Sequence, residues 1–264
     1  MDSSYKIPSA EPQILPVGLG TEARDIAYIL HAGGEPGLFW LSGFMSDMGS
    51  TKATAVAAWA NQQGLSSTLF DYSGHGRSAG RIEDGTIGRW LEEADAILTN
   101  VTKGPQIIIG SSMGGYIALL LLQKLLRERP REAERIKALL LIAPAWDMTE
   151  ELMWKRFPDE ARREIMEKGF FLQPSAYAAP YVITRKLIED GRNHLLARQP
   201  FDPGRPVVIV QGLQDVDVPA AHTRELTTFL TDGHVTLIEV PDAGHRLSRP
   251  QDLDLLFNEL AKLL

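Results

Sequence analysis

Short apolar runs alternate with amphipathic stretches along most of this chain of 264 residues. Several of the runs are apolar at every position, as in the three isoleucines 107–109, which is typical of strands buried on both faces of a parallel sheet. The stretches between them carry apolar residues at helical spacing. The pattern therefore predicts an α/β fold, with a mostly parallel central sheet flanked by helices. The predicted strands are 23–31, 38–41, 67–72, 107–109, 138–142, 206–212 and 235–240, and the predicted helices are 52–63, 86–101, 116–126, 220–230 and 251–264.

Two segments near the start of the chain fall outside this alternation. Residues 1–22 are rich in Pro, Ser and Gly, and we expect them to cover an edge of the sheet or to lie loose. The segment 32–37, AGGEPG, is typical of a turn.

The alternation also stops between residues 148 and 203. No strand pattern is found there, and prolines and glycines divide the segment into short helical stretches. We interpret 148–203 as a helical cap insertion above a core formed by 1–147 and 204–264, with ordinary crossover helices of the core as the alternative. Its aromatic residues either line an apolar substrate pocket or pack in the ordinary hydrophobic core. The helical stretches are 150–157, 158–169 and 181–196, and the aromatic residues are Trp154, Phe157, Phe170, Phe171, Tyr177 and Tyr181.

Composition narrows the class of protein. The hydrophobic fraction of 44% suffices for a full core, and the length fits one large domain or one domain with an insertion. The net charge of -7 and the lack of a basic tract argue against nucleic-acid binding. There is no cysteine, so the chain offers no disulfide and no thiolate site. Neither a secretory signal nor a membrane-spanning run is visible, and we expect a cytoplasmic protein.

A G-x-S-x-G motif occupies 110–114, between the predicted strand 107–109 and the predicted helix 116–126. In a nucleophile elbow, such a motif holds a serine in a strained turn with its hydroxyl exposed above the sheet. The glycines two positions before and after Ser112 allow strand and helix to pack closely, which favours Ser112 over Ser111 as the nucleophile. The alternative is a packing turn with an incidental serine.

A serine hydroxyl needs a base, and the base needs an orienting group. In an open α/β sheet such groups gather at the carboxyl ends of the strands. The loop after predicted strand 206–212 offers Asp215 and Asp217, and the loop after 235–240 offers His245. The chain order of serine, acid and histidine is that of the α/β-hydrolases.

The assignment of base and acid follows from position. His245 is preferred as the base because it follows the last strand on a glycine-containing loop. Asp215 is preferred over Asp217 because it lies three residues past Gly212, in the frame G-x-x-D-x-x-V-P. Asp242 and Asp71 are interpreted as a turn residue and a loop anchor. The other histidines are interpreted as structural or solvated: His31, His75, His194, His222 and His234. Of these, His75 lies in the loop SGHGRSAG and could still line the site.

The developing oxyanion needs backbone N–H donors. One is expected from Met113, the residue after the nucleophile. The other is expected from the loop after predicted strand 38–41, where Ser42-Gly43-Phe44 makes the Phe44 N–H the candidate.

At this point the chain resembles the α/β-hydrolase fold of the serine hydrolases over nearly its whole length. Four motifs occur in order: SGF, DYSGHGRS, GSSMGG, and GLQDVDVP followed by AGH. The segments GFMSDMGSTKA, FDYSGHGRS and GPQIIIGSSMGG resemble, more narrowly, the palmitoyl-protein thioesterase and acyl-glucuronide esterase group of α/β-hydrolases and its bacterial relatives. Ser42 and Ser111 replace the histidines that are usual in the superfamily, which affects pocket detail only.

The resemblance implies hydrolysis of an ester or thioester of a hydrophobic acyl group, without a metal or cofactor. We expect a small-molecule or acylated substrate, and the oligomeric state stays open. The alternatives are a lipase-like acylglycerol hydrolase, a perhydrolase, or a non-catalytic small-molecule-binding protein on the same fold.

Overall fold

The computed structural model describes residues 10–174, 180–196, 200–231 and 233–264. Strands and helices alternate through most of this part of the chain. The strands are β1 Gln13–Val17, β2 Arg24–His31, β3 Gly34–Leu41, β4 Leu65–Phe70, β5 Gln106–Ser111, β6 Ile136–Ile142, β7 Phe170–Gln173, β8 Tyr181–Thr184, β9 Val207–Gly212 and β10 Val235–Val240. The helices are α1 Thr51–Gln62, α2 Ile87–Asn100, α3 Met113–Glu128, α4 Pro130–Ala133, α5 Asp159–Lys168, α6 Arg185–Gly191, α7 Ala220–Phe229 and α8 Pro250–Leu263.

One eight-stranded sheet organises the described residues, in the order β1-β2-β4-β3-β5-β6-β9-β10. β2 runs antiparallel to both of its neighbours, and all the other pairs are parallel. The predicted fold class, a mostly parallel sheet flanked by helices, is confirmed.

Both faces of the sheet are covered by helices. Ile108 packs in a cluster with residues of α2 and α3, whereas Ile107 and Ile109 pack on the opposite face with residues of α1 and α8. All three isoleucines are fully buried, and each contributes roughly 1.5–3 kcal/mol relative to exposure. Burial on both faces explains why this strand is a continuous apolar run rather than an alternating one.

The order of the strands reverses around β3, which lies between β4 and β5. The connection from β3 leads to β4 on one side of β3, and the connection from β4 leads to β5 on the other side. A crevice therefore opens at the carboxyl ends of β3 and β5. These ends are in register, with Leu41 opposite Gly110. The segments that follow β3 and β5 therefore begin next to each other.

The chain between β6 and β9 departs from the sequence-based prediction. Residues 170–173 and 181–184 form an antiparallel hairpin, β7 and β8, so the expectation of helices alone was wrong. Four-residue runs are too short for their alternation to stand out. The helix predicted at 181–196 begins only at Arg185, after Thr184, whose hydroxyl accepts the Leu187 N–H at 3.1 Å. The other two helical stretches are present as a π-helix at Thr149–Trp154 and as α5, and Tyr177 lies outside the described residues.

The remaining differences are at the N-terminal side. β1 adds an antiparallel edge strand, which bears out the edge-covering prediction within 10–22, while residues 1–9 lie outside the described part of the chain. The segment predicted as a turn at 32–37 is mostly strand, because β3 begins at Gly34. Gly34 pairs with Leu65, and the register shifts before Leu38. Such an irregularity tolerates Gly and Pro within a strand. No helix among the described residues has the length and apolar character needed to cross a bilayer.

Candidate active site

Ser112 occupies a sharp turn between β5 and α3. Its backbone has φ 54° and ψ -118°, a region that residues with a Cβ rarely adopt. The glycines on either side of it are required because the main chain leaves no room for a Cβ at their positions. A Cβ on Gly110 would lie 2.4 Å from the Gly114 carbonyl oxygen, and a Cβ on Gly114 would lie 2.0 Å from that of Leu41. The strained serine is therefore held by close packing of β5, α3 and the end of β3.

Two loops from the far half of the chain reach this serine. His245, on the loop between β10 and α8, has its Nε2 3.0 Å from Ser112 Oγ. Its Nδ1 lies 2.7 Å from Asp215 Oδ2, on the loop after β9. The three side chains thus form one continuous line of hydrogen-bonding groups, in the order acid, imidazole, hydroxyl.

The Asp215 carboxylate is fully buried and bound on both oxygens. Oδ1 accepts the backbone N–H groups of Asp217 and Val218 at 2.9 and 2.8 Å. Oδ2 faces His245 and also accepts Gln211 Nε2 at 3.3 Å. Asp217, the competing acid, is exposed and contributes its backbone N–H to Asp215.

The same loops include the one group of described residues with the spacing of a metal site. Single ligand atoms of Asp215, Asp217 and His245 lie within 4.8 Å of one another. Two of these groups, Asp215 and His245, already share a 2.7 Å hydrogen bond. That separation is shorter than two ligands of one tetrahedral zinc ion, each about 2.0–2.2 Å from the metal, would adopt. The geometry fits an acid–imidazole pair better than a shared ion.

The loop after β3 lies over the serine. A Cβ built on Gly43 would lie 3.3 Å from Ser112 Cβ and 4.0 Å from Ser112 Oγ. Phe44 follows Gly43 directly, so its backbone N–H belongs to the peptide group that joins it to this glycine. Met113 is the first residue of α3, where a backbone N–H has no acceptor within its helix. Both predicted oxyanion donors are thus in segments that border Ser112.

Asp71 and His222, two of the other candidate residues, fill roles away from the serine. Asp71 anchors two loops, since its carboxylate accepts the N–H groups of Met48 and Arg77 at 2.7 and 2.8 Å. Burial raises the pKa of this carboxyl. His222 stacks on Trp146 with ring centroids 4.4 Å apart, and burial lowers its pKa to about 4. These contacts confirm the structural interpretation of Asp71 and His222.

Sequence reasoning missed two residues that support the acid. Gln211, inside β9, directs its Nε2 at the carbonyls of Gly212 and Val218 and at Asp215. Thr223 on α7 donates its hydroxyl to Gln211 Oε1 at 2.6 Å. The sequence feature that could have identified Gln211 is its place as the single polar residue at the end of an otherwise apolar strand, PVVIVQG.

The segment between β6 and β9 touches both loops of the site. Tyr181 of β8 packs edge-on against Phe44, with ring centroids 5.7 Å apart. A guanidinium nitrogen of Arg156 lies 3.3 Å from the Asp217 carbonyl oxygen. This segment therefore borders the site on the Phe44 side and on the Asp215 side.

Comparison with known proteins agrees with this architecture. The alpha/beta hydrolase family model matches residues 28–254. The Bos taurus palmitoyl-protein thioesterase ABHD10, a protein named as mitochondrial, is 30% identical over 242 residues, which cover 91% of this chain and 76% of that protein. The crystal structure of "Putative hydrolase from Agrobacterium vitis S4" has a TM-score of 0.92 and 42% identity, covering 96% of this chain and 98% of the other. Alpha/beta hydrolase domain-containing protein 10 from mouse has a TM-score of 0.84 and 30% identity, with coverage of 96% and 98%.

The matched residues run from β2 into α8 and include the serine turn, the Asp215 loop and the His245 loop. The narrower resemblance to the palmitoyl-protein thioesterase group is confirmed by the bovine and mouse relatives. The cytoplasmic location stays a prediction, as does the absence of nucleic-acid binding. The chain belongs to the alpha/beta hydrolase family, as its motifs predicted, and it is an enzyme of the hydrolase class.

Proposed function

We propose that this protein is a serine esterase or thioesterase that removes a hydrophobic acyl group through Ser112, His245 and Asp215. The observation that carries the proposal is the line of hydrogen bonds from Asp215 Oδ2 to His245 Nδ1, at 2.7 Å, and from His245 Nε2 to Ser112 Oγ, at 3.0 Å. With the proton on Nδ1 facing the carboxylate, Nε2 is free to accept the serine proton.

The chemistry follows from that tautomer. Nε2 takes the proton of Ser112 as Oγ attacks the carbonyl carbon, and Asp215 stabilises the imidazolium. The imidazolium then gives this proton to the departing alkoxide or thiolate, which leaves an acyl group on Oγ. Water attacks the acyl carbon as Nε2 takes one of its protons, and that proton returns to Ser112 Oγ when the acid departs. No metal or cofactor takes part in these steps.

Backbone N–H groups of Phe44 and Met113 would bind the negative oxygen of each tetrahedral intermediate. Removing one such donor from an enzyme typically costs about 2.7–4 kcal/mol of transition-state stabilisation. Support for this role comes from the position of Gly43 against Ser112 and of Met113 at the first turn of α3. Both donors belong to the main chain, so the side chains beside them are free to shape a pocket.

We propose further that residues 148–203 cap the site and help to bind the acyl group. The packing of Tyr181 on Phe44 and the contact of Arg156 with the Asp217 carbonyl support this role. An apolar substrate is favoured by two exposed hydrophobic side chains on the catalytic loops: Met45, after Phe44, is 44% exposed, and Val216, after Asp215, is 83% exposed. The name of the bovine relative, a palmitoyl-protein thioesterase, agrees with an acyl substrate.

The test is hydrolysis of p-nitrophenyl esters from acetyl to palmitoyl, together with acyl-CoA thioesters of the same lengths. Ser112→Ala should lose hydrolysis and labelling by a fluorophosphonate while it keeps the melting temperature of the wild type. Ser111→Ala is the matched control, since it removes the neighbouring hydroxyl, and it should keep both. The optimum chain length would report the depth of the acyl pocket.

Two results would contradict the proposal. If wild type and Ser112→Ala are equally inert and neither reacts with the fluorophosphonate, the protein is a binding protein on a hydrolase fold. If Ser111→Ala rather than Ser112→Ala abolishes labelling, the nucleophile has been assigned to the wrong serine.

A further inference from the structure

We propose that His75 is a positioning residue: it holds the turn 43–46 in one conformation and thereby fixes the Phe44 N–H over Ser112. The inference rests on the proposed function, because it concerns the donor that binds the oxyanion. His75 is 5% exposed and lies on the loop between β4 and α2, with no contact to Ser112 among its described hydrogen bonds.

The turn that carries Phe44 has an unusual residue at its third position. Ser46 N–H donates to the Gly43 carbonyl at 3.1 Å, which closes a four-residue turn with Phe44 and Met45 in the middle. Met45 has φ +57°, whereas Phe44 is not among the residues with positive φ. This is the pattern of a type II turn, in which the third position normally belongs to Gly or Asn. Methionine is unfavourable there because its Cβ crowds the backbone.

His75 supplies the contact that compensates. Met45 N–H donates to His75 Nε2 at 3.1 Å. The other ring nitrogen, Nδ1, lies 3.2 Å from the Ser73 carbonyl oxygen and must donate to it. Both partners are backbone groups with fixed polarity, so they select the tautomer with the proton on Nδ1 and the lone pair on Nε2. Burial lowers the pKa of this imidazole, which keeps Nε2 free to accept, although the hydrogen bond to the Ser73 carbonyl and the charge of nearby Asp47 act in the opposite direction.

The ring of His75 is itself immobilised. It packs against Phe44, Tyr72 and Trp90, with centroids 6.2, 6.1 and 5.4 Å away. His75 therefore holds the turn twice, through the N–H of Met45 and through the side chain of Phe44.

The alternative conformation of the turn shows what the contact prevents. A type I turn would return Met45 to negative φ and rotate the central peptide by half a turn. The Phe44 carbonyl would then face the lone pair of Nε2, which places two acceptors against each other. A neutral His75 thus favours the observed turn and opposes its relaxed form. The Phe44 N–H belongs to the preceding peptide, so the flip would not reverse this donor but would shift the main chain that carries it. A displacement of about 1 Å in a catalytic group is enough to cost about 10²-fold in rate.

The experiment compares kcat and KM for ester hydrolysis, with active sites counted by fluorophosphonate labelling to the end point. His75→Phe keeps a planar ring but lacks the acceptor, and kcat should fall about tenfold or more, short of the loss of about 10²–10³ seen when an oxyanion donor is removed. KM should stay within about twofold, because the donor acts mainly on the transition state. His75→Gln places an amide oxygen where Nε2 was and should recover most of kcat.

A second substitution separates positioning from general packing. Glycine adopts positive φ without cost, so Met45→Gly should make the type II turn independent of His75. The double variant His75→Phe with Met45→Gly should therefore regain kcat to within about threefold of Met45→Gly alone. If His75→Phe does not fold, His75→Asn replaces it, since its shorter side chain retains a donor for Ser73 but cannot reach Met45 N–H.

The outcomes distinguish this proposal from the proposed function. If the wild type hydrolyses esters through Ser112 and His75→Phe or His75→Asn has the same kcat, only the role of His75 is overturned. That role is also overturned if Met45→Gly recovers none of the loss. If the wild type shows no hydrolysis that depends on Ser112, the proposed function fails and this inference fails with it.

Discussion

Gln211 Nε2 lies 3.3 Å from Asp215 Oδ2, the carboxylate oxygen that also faces the imidazole of His245. The amide is oriented from behind, because the Thr223 hydroxyl donates to Gln211 Oε1 at 2.6 Å. Its Nε2 also donates to the carbonyls of Gly212 and Val218, at 2.9 and 3.0 Å. One fully buried amide therefore ties the end of β9 to both sides of the loop that holds the acid.

Replacing this amide should weaken both stability and catalysis. In Gln211→Leu the Thr223 hydroxyl and the Val218 carbonyl lose their partner in a buried place, which typically costs about 1–3 kcal/mol of unfolding free energy. We expect kcat to fall about threefold to tenfold, because a less well oriented Asp215 should raise the activation free energy by about 1 kcal/mol. Urea unfolding and ester hydrolysis measure the two effects. Gln214→Leu is the control on the same loop, since Gln214 is exposed, and it should change stability by less than about 0.5 kcal/mol. Equal effects of the two substitutions would contradict a special role for Gln211.

The two aspartates of this loop should differ sharply in function. Asp215→Asn keeps an oxygen for the N–H groups of Asp217 and Val218 but removes the charge beside His245, and it disfavours the tautomer that accepts the serine proton. We expect kcat to fall by about 10²–10⁴, by analogy with the loss of about 10⁴ for such a change in a serine protease. Asp217→Asn leaves its backbone N–H in place and should stay within about twofold of the wild type. A larger loss in Asp217→Asn than in Asp215→Asn would assign the acid to the wrong residue.

The close approach at the serine turn predicts a glycine that cannot be replaced. A Cβ at Gly114 would lie 2.0 Å from the Leu41 carbonyl oxygen, and a backbone atom cannot rotate away. Gly114→Ala should therefore lower the unfolding free energy by more than about 3 kcal/mol or prevent folding, because it separates α3 from β3. Gly244→Ala is the comparison, since its Cβ would meet an oxygen only at 3.8 Å. Similar melting temperatures for the two variants would refute this account of the packing.

The elements that the sequence predicted well are those whose signal is local. The run 107–109 is apolar at each position because both faces of β5 are buried, and the glycine at 110 is needed for a contact with Gly114 in the same turn. The candidate acid and base were chosen by chain order and by their place after a strand. In the structure, His245 and Ser112 meet across 133 residues of sequence. General rules of α/β sheets were enough to predict that these groups meet.

The features that the sequence did not predict depend on contacts between distant segments. β7 and β8 are four residues each, and they form strands because they pair with each other. Gln211 looked like an ordinary end of a strand, since its partner Thr223 comes from the next helix. The positive φ of Met45 could not be inferred, because methionine does not indicate a type II turn and the acceptor that holds it belongs to His75. Local propensity carries no information about such partners.

A buried histidine away from the serine should make stability depend on pH. His222 stacks on Trp146, and its Nε2–H donates to the Trp146 carbonyl at 2.9 Å. Burial lowers its pKa to about 4, against an ordinary value of about 6.5 in the unfolded chain. Between these values the unfolded state binds a proton that the folded state does not bind, so the unfolding free energy falls as the pH drops from 6.5 toward 4.

The size of this effect can be isolated with His222→Phe, which keeps a ring against Trp146 and removes the titrating group. Other carboxylates titrate in both proteins, so the quantity to measure is the difference in unfolding free energy between wild type and variant, by urea denaturation at pH 7 and pH 4.5. The wild type should lose about 2 kcal/mol more than the variant over this interval. Parallel pH profiles for the two proteins would mean that His222 has the same pKa in the folded and the unfolded chain, so that burial against Trp146 does not disfavour its imidazolium.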